Sequence, residues 1–356
     1  MARGSSRRLL GRRCFLQRSA ALGAAGLFPA AWSRADEDRE RPDGVSVDEL
    51  PPLEGELVLY LGQGEGGLYE DVLEAIEKRN PDFDLKIRRG PTAALANTIV
   101  AESEAGVSRA DVFWAVDSGA IGLVDSTGQA QPLPETITGL IDERFRYRNW
   151  APISGRIRTL PYHTGRLTAA DLPKSVMDLA GSDLKIGWAP AYGAFQSFVT
   201  AMRILEGEEA TGDWLREISG QARGYAGELG VVMAVARGEV DVGFANHYYT
   251  LRLKAGDPDA AVDLAFSEND AGCLLNASGV MALSEGSLPL DFIRYLLTTE
   301  VQSYLAGEAY EIPMIAGGPM PEGLPPLESI HPPEVDLAAL ADLQPTLELM
   351  RETGVL

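Results

Sequence analysis

Histidine, cysteine and lysine are scarce in this chain, and each shortage removes a class of chemistry. Its 356 residues hold three His, two Cys and five Lys. His163, His247 and His331 lie far apart, so no His-based metal spacing exists. Beyond residue 35 only Cys273 remains, which rules out an intrachain disulfide and reads as a small buried hydrophobe. There is no H-E-x-x-H, no G-x-S-x-G and no P-loop, which argues against metalloprotease, serine-hydrolase and NTPase readings. After residue 36 no apolar run approaches the 18 residues a membrane span requires. A basic surplus is also missing. The chain carries 52 acids against 31 Lys plus Arg, which disfavours nucleic acid and anionic membrane surfaces.

The basic residues that do occur are concentrated at the start. Residues 1–35 contain seven Arg and no acid, followed by an Ala/Gly-rich stretch from about Ser19 to Trp32. Arg12-Arg13-Cys14-Phe15-Leu16-Gln17 has the form of a twin-arginine export signal, and Ser33-Arg34-Ala35 offers small residues for cleavage. Residues 1–35 are therefore expected to be a leader, and the mature protein to be extracytoplasmic. Without them, 24 cations face 52 acids, a net charge of −28. An Asp/Glu surface so poor in Lys suits a salty habitat, where salt screens self-repulsion.

About 320 residues remain, more than one core usually holds, so two domains are expected. Residues 36–55 are polar and Pro-containing and read as a flexible segment. From Leu57 onward strands and helices alternate. Leu57–Tyr60, Leu85–Arg88, Asp111–Trp114 and Lys185–Trp188 read as strands. Leu68, Val72, Leu73 and Ile76 mark one helix face, and Phe195, Phe198, Val199, Met202 and Leu205 another. Thr92 is expected to cap a helix running to about Glu104. A last amphipathic helix is expected over Thr346–Glu352. This alternation predicts an α/β fold with mixed, mostly parallel sheets covered on both faces. No repeat or low-complexity tract interrupts it. In such folds ligands sit beyond the carboxyl ends of the strands. Four loops occupy that position: Leu61–Gly67, Ala115–Ser118, Ala189–Ala194 and Asn246–Tyr249.

The last of these loops carries the most telling residues. Tyr248 and Tyr249 adjoin in Ala245-Asn246-His247-Tyr248-Tyr249, directly after the strand-like Val240–Phe244. Hard, highly charged cations prefer oxygen donors. Two phenols at a cleft therefore point to Fe3+, the competing reading being a pair of core or rim aromatics. His247 could orient a phenol or stand in solvent, while His163 reads as structural. The first loop, Gly62-Gln63-Gly64-Glu65-Gly66-Gly67, satisfies G-x-G-x-x-G between a strand and a helix. That supports a rival, an exported NADP-dependent oxidoreductase with Arg88 or Arg89 on the 2′-phosphate. The glycines could equally let a ligand approach the backbone.

Beyond these features the chain resembles the ferric-ion-binding proteins of bacterial iron ABC transporters, within the extracellular solute-binding proteins. The resemblance covers most of residues 56–356. It rests on Tyr60-x-Gly62-Gln63, Ala110-Asp111-Val112-Phe113, Ser154-Gly155-Arg156-x-Arg158, Asp171-Leu172-Pro173-Lys174-Ser175, Ile186-Gly187-Trp188-x-Pro190, Gly238-Glu239-Val240-Asp241 and Asn246-x-Tyr248-Tyr249. It implies a type II periplasmic-binding-protein fold, two lobes joined by a two-strand hinge that close on the ligand. Lobe 1 would hold residues 56–157 and 280–327, and lobe 2 residues 158–279 and 328–356. Further implications are a periplasmic, monomeric, non-enzymatic carrier, delivery to an inner-membrane permease, and no nucleic-acid partner.

The resemblance makes Tyr248 and Tyr249 the iron phenolates. Its other ligands transfer only in part. Gly64 stands where some members use a His, flanked by Gln63 and Glu65 in the first-loop cleft. Val116 stands where some use a Glu, with Asp117 next. Tyr192, Gly193 and Ala194 occupy the segment that binds a synergistic anion such as carbonate, and Asn246 is kept. Ser154 and Arg156 match an anion-pairing segment, and Glu228 stands at a position where an Asn touches the anion. Tyr192 as a third phenolate, with Glu228 or Asp117 as carboxylate, would neutralise Fe3+. The opposing reading is the same fold remodelled for a small organic cation such as a polyamine or a thiamine-like solute.

Overall fold

The computed structural model describes residues 44–62 and 68–356. The leader, the Gly-rich stretch 63–67 and the expectations placed on them lie outside the described residues. Among the described residues no helix is long and apolar enough to cross a membrane. The expected flexible segment is docked from residue 44 onward. Leu50 and Leu53 are buried. Glu300 accepts hydrogen bonds from Ser46 Oγ and from the Val47 amide, and Leu53 N donates to Asn80 Oδ1 at 2.9 Å. Two apolar residues, five and two positions before the first strand, suffice to seat the segment, which its polar composition had hidden.

The first part of the chain reads β1 (Gly55–Gly62), α1 (Leu68–Arg79), β2 (Phe83–Gly90), α2 (Thr92–Glu104), β3 (Val112–Ala115) and α3 (Ser118–Asp125). In α1, Tyr69, Val72, Leu73 and Ile76 form the buried face, the spacing that makes one stripe on a helix. Acids in its first turn and Lys78 and Arg79 in its last complement the helix dipole. Thr92 is the first helical residue of α2 rather than its cap, which is Pro91. Its hydroxyl packs against Gly62, where any Cβ would collide with it. β1 pairs in parallel with β2 and β3, and β3 is buried at all four positions, as a strand inside a sheet covered on both faces requires.

The long β4 (Ala151–His163) then joins two sheets. Its first half pairs antiparallel with β10 (Leu275–Ala282), and β10 pairs antiparallel with β3. Its second half belongs to the sheet built from β5 (Ile186–Trp188), β6 (Ala222–Gly224), β7 (Val242–Gly243) and β9 (Val262–Ala265), with β8 (Ala245–Asn246) paired at Arg158 and Thr159. The change of partner falls at Ile157–Arg158. β5 is parallel to both β6 and β7. The result is a mixed α/β fold of two lobes. Between β5 and β9 the chain forms helices α4 (Gly193–Glu206), α5 (Glu208–Gln221), α6 (Glu228–Ala236) and α7 (His247–Gly256). Phe195, Phe198 and Trp214 pack with Phe244 in its core. The chain returns through α8 (Ser287–Leu296), α9 (Thr299–Glu308) and β11 (Ile312–Pro313), which pairs with β4 at Ser154–Gly155. Finally α10 (Leu343–Glu352) packs on α4, with Thr346 Oγ1 2.8 Å from Thr200 Oγ1.

Candidate metal centre

β8 leads straight into α7, so Tyr248 and Tyr249 fall in the first turn of that helix, with Asn246 as the N-cap residue. Their rings stand 4.6 Å apart at 54°, and both are largely buried. Tyr192 caps α4 from a different loop. Its phenol oxygen lies 2.8 Å from that of Tyr249. Two loops 57 residues apart thus bring their phenols together. Asn246 Nδ2 donates to the Tyr248 hydroxyl at 3.2 Å. The Arg252 guanidinium lies over the Tyr248 ring at 4.7 Å, and Arg156 lies close enough for its charge to act on Tyr248. Among the described residues no three His, Cys, Asp or Glu side chains could hold a metal together.

Glu228 is not presented beside the phenols as a spare carboxylate. It is 1 % exposed. One oxygen forms an ion pair with Arg158, and the other accepts the Asn246 amide at 2.8 Å. Arg158 also donates through Nη2 to the Ala194 carbonyl in the first turn of α4. A doubly bonded, ion-paired carboxylate has little left for a cation, so Glu228 leaves the expected ligand set.

His247 is neither in solvent nor bonded to a phenol. It is fully buried. Its Nδ1 accepts the Ile157 amide at 3.1 Å, so Nε2 is assigned the proton that it donates to the Tyr310 carbonyl at 2.6 Å. Burial pushes its pKa down to about 4. Arg252 Nε and Nη2 both donate to the Ala309 carbonyl, at 3.2 and 2.6 Å. One side of α7 is therefore fastened to β4 and to segment 309–311, while its first turn faces Tyr192.

Ser154 belongs to a different network. Its hydroxyl lies 2.8 Å from Ser278 Oγ and 3.2 Å from the Tyr69 hydroxyl, which also donates to Glu311 at 3.1 Å. Being 2 % exposed and committed to these partners, it is not free for an anion. Burial, and then the Glu311 charge, hold the Tyr69 phenol well above its ordinary pKa. Burial likewise raises Glu311. Asp117 caps α3 by accepting the Ala120 amide at 2.9 Å, the ordinary role of Asp at that position. Arg156 is partly buried, donates to the Val116 carbonyl, and has Tyr248, Asp117, Tyr69 and Glu311 as charge neighbours. Open space surrounds the position where Gly193 lacks a Cβ.

The structure thus gathers Tyr192, Tyr248, Tyr249, Asn246 and Arg156. It commits Glu228, Ser154, Asp117 and the Ala194 carbonyl to protein partners, and Gln63, Gly64 and Glu65 are outside the described residues. Sequence reasoning overlooked Tyr69, Arg158, Arg252 and Glu311 as neighbours of the site. The expected helix face began at Leu68 and did not include Tyr69, and Arg252 and Glu311 fall in no motif.

Residues 57–310 match the profile of bacterial extracellular solute-binding proteins. The chain is 32 % identical over 311 residues to a protein named Fe(3+)-binding periplasmic protein from Serratia marcescens, covering 84 % of this chain and 90 % of that one. It is 26 % identical over 326 residues to the major ferric iron-binding protein of Neisseria meningitidis, covering 87 % and 96 %. The crystal structure of iron-bound HitA from Pseudomonas aeruginosa superposes with a TM-score of 0.75 at 28 % identity, covering 85 % of this chain and 100 % of that one.

Proposed function

The chain belongs to the bacterial extracellular solute-binding proteins, among their ferric-ion-binding members, and from that premise we propose that it captures Fe3+ as cargo between its two lobes. The observation that carries this reading is the 2.8 Å separation of the Tyr192 and Tyr249 oxygens, with Tyr248 beside them. In the metal-free chain this is a hydrogen bond. It also equals the edge of an octahedron whose oxygens lie about 2.0 Å from a small hard cation. Tyr192, Tyr248 and Tyr249 are the phenolates in this reading, and three such charges match one Fe3+. Arg156, close to Tyr248, is the group left to hold a small co-bound anion such as carbonate.

We place the hinge where β4 passes Ile157–Arg158 and where the chain returns into β10 at Leu275. Closure there would exclude water and complete the shell, and the loaded, monomeric carrier would dock on an inner-membrane permease from the periplasmic side, after export by the twin-arginine route. This is binding and release, not catalysis. The relatives carry binding-protein names, and H-E-x-x-H, G-x-S-x-G and P-loop motifs are missing from the sequence. The NADP reading rested on the glycine loop alone, and an organic-cation reading would use the same rings as an aromatic wall, which a ferric titration distinguishes by the absence of a band.

The test is a ferric titration of the mature apo protein, with iron supplied as a weak chelate at fixed bicarbonate. A saturable visible phenolate-to-iron charge-transfer band is expected. In Tyr248→Phe/Tyr249→Phe the band should vanish and affinity should fall by more than about 1000-fold, roughly 4 kcal/mol. A wild-type protein without any band would refute ferric binding through these residues.

A further inference from the structure

Arg158 and Glu228 are both almost fully buried, with side chains 3 % and 0 % exposed. Glu228 opens α6, the Asn246 amide that it accepts caps α7, and the Ala194 carbonyl that Arg158 engages lies in the first turn of α4. A buried guanidinium and the Asn246 backbone amide at the start of α7 form a donor set suited to a small carboxylate. Here the chain fills that set with its own side chain. The two helices held by this pair are those whose first turns carry Tyr248 and Tyr249 on one side and begin at Tyr192 on the other.

We propose that Glu228 is a built-in anion, a positioning residue that locks the starts of α4 and α7 together and thereby sets the approach of Tyr192 to Tyr249. It acts through its partners and does not touch the cargo. The iron part of this inference rests on the ferric reading above, whereas the built-in anion does not. Removing the carboxylate leaves Arg158 buried without its counter-ion and opens a pocket of carboxylate size. A small exogenous carboxylate should then take its place.

The experiment compares wild type, Glu228→Ala and Glu228→Gln, with and without millimolar formate, at fixed bicarbonate and ionic strength. Two quantities are read: the melting temperature of the apo protein, and the affinity and position of the ferric band. In Glu228→Ala, iron affinity should fall at least tenfold with a shifted band, and formate should restore both. Formate should also raise its apo melting temperature saturably, while leaving wild type unchanged. Glu228→Gln keeps the pocket filled but neutral, so it should fold, lose affinity several-fold and ignore formate.

Unchanged affinity and band in both variants would overturn the positioning role. No formate effect on Glu228→Ala, or an equal effect on wild type, would overturn the built-in anion. Should Glu228→Ala not fold, Glu228→Gln decides the positioning role, and recovery of soluble Glu228→Ala only when it is refolded in formate decides the anion. Absence of a band in wild type would defeat the ferric reading alone, because the apo melting comparison still decides whether Glu228 fills an anion site.

Discussion

Tyr69 and the cluster of Tyr192, Tyr248 and Tyr249 have opposite settings. Tyr69 stacks on Trp114 at 4.4 Å, and its hydroxyl is shared between Ser154 and Glu311. A neighbouring carboxylate and burial both oppose loss of its proton, and its pKa is raised. Tyr69 also stands at the start of a helix and also feels Arg156, but Tyr192, Tyr248 and Tyr249 have their phenols gathered together, with the Arg252 guanidinium over one ring. The guanidinium beside Tyr248 favours an anion there, as the Glu311 carboxylate beside Tyr69 disfavours one. The same side chain is a neutral strut in one place and a prospective anionic ligand in the other. Residue type alone does not make a ligand; the sign of the surrounding field does.

The largest effect that sharpens this contrast concerns the fastening of the ligand-bearing helix. His247 is neutral in the folded chain with a pKa of about 4, below its ordinary value of 6.5. The unfolded chain therefore binds the proton first as pH drops. Stability should be full above pH 6.5, decline as pH falls, and by pH 4 have lost up to about 3 kcal/mol. Denaturant unfolding of apo protein across that range checks it. In His247→Gln this part of the pH dependence should disappear; an unchanged slope would mean that other groups cause it.

A smaller effect separates three phenolates from two. Tyr192→Phe should weaken ferric affinity by about 10–100-fold, or about 1.4–2.7 kcal/mol. It should also release one proton fewer per iron bound, since each phenol, ordinarily protonated at neutral pH, must lose its proton to ligate. Calorimetry in buffers of different ionisation enthalpy counts those protons. Equal counts for wild type and variant would remove Tyr192 from the shell. For the same reason affinity should fall on acidification.

The smallest effect is expected from Tyr69→Phe. Loss of its hydroxyl contacts should cost about 1 kcal/mol of stability, measured by thermal unfolding, with the ferric band unmoved. A shifted band would break the contrast by bringing Tyr69 into the iron site.

Much of this architecture is legible in one dimension because burial has a period. The faces of α1 and α4 and the all-apolar β3 announce themselves in the spacing of Val72, Ile76, Phe195, Phe198 and the run Val112–Trp114. The docking of residues 44–54 does not, because two buried leucines among polar neighbours carry no period. The Tyr248–Tyr249 pair was visible as an adjacency, and Tyr192 through resemblance. The commitment of Glu228 to Arg158, or of Ser154 to Ser278, has no local signature, since those partners lie 70 and 124 residues away.

By itself, the sequence determined the alternation of strands and helices, the acidic charge, the lack of any His or Cys metal set, and the presence of paired phenols. All of these are properties of residue type and spacing, which survive in an unfolded chain. Tertiary structure alone decided which polar groups are spent and which are presented. A carboxylate becomes a ligand or a counter-ion according to the donors that packing delivers to it, and for Glu228 those donors come from β4 and from the start of α7.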